Sequence, residues 1–361
     1  MRYKDKIARA MALQALTLSG GGTGGLASQV STNTSSLVKK LDISRHYLSY
    51  KNLSMHVGLG GTSVPLPDMF SHFALQGVDA TFIVMVNILS LIDPAPTMIS
   101  DNIITQSLAN AQSVGVKTTQ IKLHLGEGFE DGTNRASYIP DPTVFFPNWQ
   151  IICLHYAQLC VTNGIKVLCI GCEQSQQSVN ANFSYWANIV SAIRTQFPTL
   201  ILTYAGNTNE QSVSNVLSFW SLFDFIGFNM YFTYTNLLVS QNPTENSLIQ
   251  SFYNFPFGAT TMDQINFYAN YFGKQIYVTE TGLQPVDSGL AISYDGLLVT
   301  PPVTYNGTAL AIGACCDGLF QNPNIIGFSW WSALSPFNYF IDGSITSAEQ
   351  AMINYVKGGL I

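Results

Sequence analysis

Two apolar runs in this chain end on a glutamate: Val167-Leu168-Cys169-Ile170-Gly171-Cys172-Glu173 and Ile276-Tyr277-Val278-Thr279-Glu280. Acidic residues are scarce, 21 Asp and Glu among 361 residues, so finding two at the ends of apolar segments is informative. A carboxylate in such a place is partly desolvated, which costs free energy unless function retains it. Two of them facing across a cleft can divide the work of glycoside hydrolysis. One is held protonated and donates to the leaving oxygen; the other stays ionised and attacks the anomeric carbon. Carboxyl groups about 5–5.5 Å apart give a covalent intermediate and retained configuration.

Such a pair needs a scaffold that brings distant segments to one face. Eight short apolar runs recur along the chain: Leu53–Val57, Thr81–Val86, Gln120–Leu125, Lys166–Ile170, Leu200–Tyr204, Phe225–Asn229, Gln275–Thr279 and Ile326–Trp330. They are near-continuously apolar rather than alternating, as strands covered on both faces are. Between them lie stretches with helical periodicity, at Asn148–Cys160, Phe183–Gln196, Ser212–Leu222 and Met262–Tyr271. Repeated strand–helix alternation implies parallel strands with right-handed crossovers, and eight such units close into a single (β/α)8 barrel over residues 51–361. The competing doubly wound sheet would carry a glycine-rich nucleotide loop. Gly58-Leu59-Gly60-Gly61 misses both known spacings and reads as a loop at the barrel mouth.

In this barrel functional groups gather at the C-terminal strand ends. Glu173 and Glu280 close the fourth and seventh strands, on opposite sides of the mouth. Asn229 and Tyr231 follow the sixth, Trp330 and Trp331 end the eighth, His124 and Glu127 close the third, and His56 closes the first. Each tryptophan can serve as a sugar platform or as core, and Glu127 equally as a solvated loop residue. The segments Asn236–Thr260 and Pro285–Thr308 are expected to shape the cleft.

Composition narrows the partners. The net charge is -6 and no basic stripe exists to neutralise phosphates, so nucleic acid is excluded. Only 10% of residues are charged, yet no apolar stretch is long enough for a membrane span. The six cysteines include one CxxC, Cys169 and Cys172, without a second such pair. Free thiols and a reducing compartment are the expectation, with neither a structural zinc site nor a cofactor. The N-terminus is basic and then apolar, but Asp5 and Gln14 interrupt it and no clear cleavage site follows. Residues 1–50 therefore read as a helical arm, a glycine-rich linker over Ser19–Gly25 and a lead-in segment. The product is expected either in the cytoplasm or on a virion.

The runs Ile170-Gly171-Cys172-Glu173 and Val278-Thr279-Glu280-Thr281-Gly282 resemble those of the clan A retaining glycosidases. Within the clan they are most similar to endo-β-mannanase-type barrels and to the glycosidase-like barrels of phage tails and gene-transfer-agent particles. The resemblance covers residues 50–361, although its sharp motifs are short. It implies that Glu173 is the acid/base, that Glu280 is the nucleophile, and that Tyr231 hydrogen-bonds the nucleophile. It also implies a tryptophan platform on the eighth strand and a β-linked polysaccharide substrate, a mannan-like chain or a bacterial surface glycan. Most members place an Asn that holds the sugar 2-hydroxyl just before the acid/base. Here that position is Cys172, a departure that narrows the family.

Two enzymatic rivals fail on residues. A chitinase-type barrel needs an aspartate ladder leading to its strand-four glutamate, and those positions hold Gly171, Cys169 and Lys166. A metal hydrolase on this fold needs His-x-His on strand one, and none of the five histidines has that spacing. A rival of another class is a non-catalytic glycan-binding or structural barrel in a phage tail or related particle, docked to virion proteins through the N-terminal arm. Its discriminator is activity on glycans.

Overall fold

A computed structural model describes residues 52–254, 260–293, 303–341 and 343–357; the helical arm and linker expected over residues 1–50 lie outside them. The eight expected strands are β1 (Asn52–Leu59), β2 (Asp79–Ile88), β3 (Thr118–Glu127), β4 (Val167–Cys172), β5 (Ile201–Gly206), β6 (Ile226–Asn229), β7 (Ile276–Gly282) and β8 (Ile325–Trp331). Each pairs in parallel with the next, and β8 closes on β1, giving one eight-stranded barrel. The described helices are α1 (Pro67–Gln76), α2 (Asp101–Ser113), α3 (Pro142–Thr162), α4 (Phe183–Gln196), α5 (Glu245–Ser251), α6 (Thr261–Phe272), α7 (Tyr305–Asp317) and α8 (Ser347–Lys357). Among the described residues no helix is long and apolar enough to cross a membrane.

Local chemistry explains the helix boundaries. Asp141 caps α3 by accepting from the Thr143 amide, and Pro142 supplies a first-turn φ at no hydrogen-bond cost. Thr260 and Asp263 form a reciprocal capping box on α6. Helix α4 buries Trp186, Ile189, Val190 and Ile193, three- and four-residue steps that lay one stripe against the sheet.

One expected helix is absent. Ser212–Leu222 forms only a 3-10 turn over Ser218–Leu222, so β5 crosses to β6 without an α-helix. The apolar spacing is there, but serine and asparagine fill the intervening positions and offer the backbone other partners. Ser218 donates from both its amide and its hydroxyl to Asn180 Oδ1 (2.8 Å each).

The barrel interior is packed rather than open. Val167, Ile201, Phe225, Tyr277 and Ile326 form a cluster of their own, distinct from the sheet–helix core. Ser54, Thr81, Ser329 and Tyr277 join through buried hydroxyl hydrogen bonds. Register shifts fall between Cys169 and Cys172, between Phe228 and Asn229, and between Val278 and Thr281. Irregular pairing of this kind re-aims side chains, and these three shifts flank the residues that build the site.

Candidate active site

Glu280 lies at the barrel mouth, 3% exposed. Its Oε1 meets the ammonium of Lys122, with His124 Nε2 at 3.4 Å and the Cys172 thiol donating across 3.6 Å. Its Oε2 accepts from the Tyr231 hydroxyl at 2.8 Å. Burial alone would raise its pKa, but the positive charge of Lys122 and the His124 contact outweigh burial and hold it well below the usual carboxylate value. The group is therefore an anion at neutral pH, with hydrogen-bonding partners on both oxygens. The glycine two residues on is required by packing: a Cβ on Gly282 would collide with the Trp331 carbonyl of β8.

Lys122 is itself fully buried and comes from the middle of β3. Burial opposes its charge, yet the Glu280 carboxylate against it raises its pKa overall, so it is an ammonium. It also donates to Asn229 Oδ1 at 3.2 Å. An ammonium can only donate, so this bond fixes the amide's orientation. The Thr279 hydroxyl donates to the same oxygen at 2.8 Å. The Asn229 NH2 group then faces the other way and donates to Glu173 Oε1 at 2.9 Å and to Cys172 Sγ at 3.4 Å.

Glu173 follows β4, and its side chain is 22% exposed. Its backbone takes φ 55°, a left-handed conformation that costs a non-glycine residue about 1–3 kcal/mol. Its amide donates to Ala205 O at 2.8 Å. Arg135 Nη2 donates to its Oε2 at 3.4 Å, while Arg135 Nη1 donates to Asp131 Oδ1 at 2.7 Å. Asp131 Oδ1 also meets His124 Nδ1 at 3.3 Å. A continuous polar network thus runs from Glu173 through Arg135, Asp131 and His124 to Glu280, and by a second path through Asn229 and Lys122.

Both glutamates line one cavity of about 1230 Å³. Asn229, Tyr231 and Trp331 line it too, so five of the sequence-identified residues share one surface. Of the others, His124 and Cys172 reach the site from beneath and Trp330 does not. Trp330, for which the sequence allows either a platform or a core role, is fully buried against Phe328 and Tyr339; strand alternation turns it into the core and turns Trp331 to the cleft. His124 is fully buried, its ring parallel to Trp331 at 5.9 Å between centroids. Cys172 is fully buried, and its thiol touches Glu280 and Asn229 rather than lining the cleft. His56 is buried beside Trp331, with its pKa pushed well down by burial and by Lys122, and is therefore neutral. Glu127 is exposed at the end of β3. Lys122, Arg135 and Asp131 were not singled out in the sequence. For Lys122 the signal is an alternation inside β3, Gln120, Lys122 and His124, that places polar groups on one face of an apolar strand.

His124, Cys172 and Glu280 bring three donor atoms within 4.8 Å of one another, as metal ligands do. The Lys122 ammonium already sits on the shared carboxylate oxygen, and burial pushes the Cys172 thiol well above its ordinary pKa. A cation there meets an existing positive charge and an unwilling thiolate.

A parallel eight-stranded barrel with glutamates closing its fourth and seventh strands has the architecture of a clan A glycoside hydrolase. The family model of Glycoside Hydrolase Family 113 matches residues 96–339, two thirds of the sequence and both glutamates, and the chain belongs to that family. It is accordingly a mannanase-like, retaining glycoside hydrolase. Among solved structures the fold is similar to a Family 113 β-1,4-mannanase complex, at 14% identity and TM-score 0.66, over 85% of this chain and 98% of that one. It is also similar to a Family 113 β-mannanase from Alicyclobacillus acidocaldarius, at 19% identity and TM-score 0.63, over 85% and 96%. An endo-β-1,4-glucanase from Xanthomonas axonopodis pv. citri follows at 14% identity and TM-score 0.53, over 85% and 99%. No curated protein matches the chain in sequence.

Proposed function

We propose that this enzyme cleaves a β-1,4-linked, mannan-like polysaccharide by double displacement, with Glu280 as nucleophile and Glu173 as acid/base. The observation that carries the reading is the unequal treatment of two carboxylates in one cleft. Glu280 is buried and held anionic by Lys122, as a nucleophile must be. Glu173 is partly open to the cavity, where protons exchange with solvent and substrate. In the first step protonated Glu173 gives its proton to the glycosidic oxygen as Glu280 attacks the anomeric carbon, and the leaving sugar departs as an alcohol. In the second, the Glu173 carboxylate takes a proton from water, whose oxygen displaces Glu280. Trp331 offers an apolar face to the sugar. With Cys172 buried, the hydroxyl contact assigned to its position falls to Asn229, which lines the cleft. The mannan assignment is supported by the family and by the β-mannanases of similar fold.

The test is incubation with β-1,4-mannan, β-1,4-glucan, β-1,4-galactan and bacterial surface polysaccharides, alongside Glu280→Gln. Cleavage of mannan that the substitution abolishes is the expected result, with a 2-fluoro glycoside trapping a covalent adduct on Glu280. Cleavage undiminished in Glu280→Gln overturns the assignment. Inertness toward every glycan returns the barrel to a glycan-binding or particle-docking role.

A further inference from the structure

The left-handed backbone at Glu173 must be held by something, because an isolated chain would leave it. The amide of the next residue, Gln174, donates to the Tyr204 hydroxyl oxygen at 2.6 Å. Tyr204 in turn donates to Glu210 Oε1 at 2.7 Å. The second oxygen of Glu210 accepts from the Asn207 amide at 2.9 Å, and the Asn207 side chain accepts from Ser175 Oγ at 3.1 Å. One carboxylate thus anchors both residues that grip the turn after Glu173. Glu210 is 1% exposed, and among the described residues no lysine or arginine forms a salt bridge with it. The Tyr204 ring cannot drift, since Trp186, Phe219 and Trp220 meet it edge-on and Gly171 of β4 leaves it room.

We infer that Glu210, acting through Tyr204 and Asn207, is a positioning residue that aims Glu173 at the leaving oxygen; this rests on the acid/base reading of Glu173. Retaining an unpaired, buried carboxylate is costly, and burial together with the nearby charge of Glu173 pushes Glu210 up to about 7. A buried group kept at such a cost, with both oxygens spent on the turn beside a reacting residue, is explained by precision there. Above about pH 7, where Glu210 is ionised, glutamine cannot replace it: an amide has one acceptor oxygen, and its NH2 would face either the Asn207 amide or the Tyr204 hydroxyl, which already accepts from Gln174.

The consequence separates aiming from folding. General acid help matters where the leaving group is poor and is dispensable where the leaving group departs unaided. Assayed above about pH 7, where Glu210 is ionised, Glu210→Gln and Tyr204→Phe should each lower kcat/KM about 10- to 100-fold on oligosaccharides, since misplacing a reacting group by about 1 Å costs up to 10². On the matching 2,4-dinitrophenyl glycoside the loss should be less than about threefold, as general acid catalysis contributes little there. The double variant should lose no more than either single one, because both cut the same chain. Equal losses on both substrates, or no loss on oligosaccharides, overturn the inference. Tyr204→Phe preserves the ring and keeps the test open if Glu210→Gln fails to fold. Glu173→Ala with azide is measured in parallel: rescue on the activated glycoside supports the acid/base reading, and its absence overturns that reading and the inference resting on it. A wild-type enzyme inert on every glycan overturns both.

Discussion

Replacing Lys122 with methionine tests the electrostatic core of the site. The substitution nearly keeps the shape and removes the charge from a fully buried position. Glu280 would keep His124 at 3.4 Å and the Cys172 thiol at 3.6 Å on Oε1, and Tyr231 on Oε2. Breaking a buried pair by deleting one partner costs about 3–5 kcal/mol, because the remaining charge is stranded. Part of that cost is relieved if Glu280 takes up a proton, at about 1.4 kcal/mol per pKa unit. Its pKa should therefore climb from well below 4.5 toward the ordinary carboxylate range. Only the ionised form attacks, so the acid limb of kcat/KM should move up by the same amount. A second loss, about 10²-fold at the optimum, follows from freeing the Asn229 amide to turn away from Glu173. The assay is kcat/KM from pH 3 to 9, with urea unfolding of both proteins at pH 4 and 7. In the wild type the depressed Glu280 stabilises the fold above pH 4.5, and this fades as pH falls through its folded pKa. The raised Lys122 stabilises the fold below pH 10.5. The stability gap between the two proteins should therefore be widest near neutrality and shrink in acid. An acid limb that stays in place, with activity within a few-fold of wild type, refutes the reasoning.

Other outcomes follow from single contacts. Trp331→Ala should cost about tenfold or more in kcat/KM through the lost sugar platform with little change in Tm, whereas Trp330→Ala should destabilise by about 3–5 kcal/mol; the same phenotype for both would contradict their placement. Gly171→Ala would put a Cβ 2.8 Å from the Tyr204 ring and should cost about 1–3 kcal/mol by denaturant titration, with activity falling further than stability explains. Glu210 keeps its proton to about pH 7 in the fold but only to about 4.5 unfolded, so stability should fall as pH rises between those values, by about 3 kcal/mol at most. Glu210→Gln should flatten that slope, and an unchanged slope would place the titration elsewhere.

The barrel was legible because parallel strands covered on both faces leave a strong mark: every apolar run from Leu53 to Trp330 became a strand. Glu173 and Glu280 stood out because charge is rare here and each ended such a run. Orientation within a strand end was harder. Whether Trp330 or Trp331 faces the cleft depends on register at the end of β8, where pairing with β7 is shifted. Lys122 was hidden inside an apolar run as one polar residue among hydrophobic neighbours, and its worth depends on β3 standing across from β7. Arg135 sits in a short 3-10 turn between β3 and α3, where spacing carries no periodic signal. Ser212–Leu222 had helical spacing but residues better served by side-chain hydrogen bonds.

Asn229 has a consequence for how this enzyme can be altered. It belongs to a strand, its oxygen is claimed by Lys122 and Thr279, and its nitrogen reaches Glu173. The reacting pair is thus registered by the wall of the barrel before any sugar arrives. Beyond Tyr231, which holds Glu280 Oε2, the described part of the segment after β6 adds cavity-lining residues such as Asn236 and Gln250 that make no contact with either glutamate. Grafting that part of the segment from a relative with another glycan preference should exchange specificity while the chemistry stays calibrated, so the scaffold behaves as a fixed engine with a replaceable mouth.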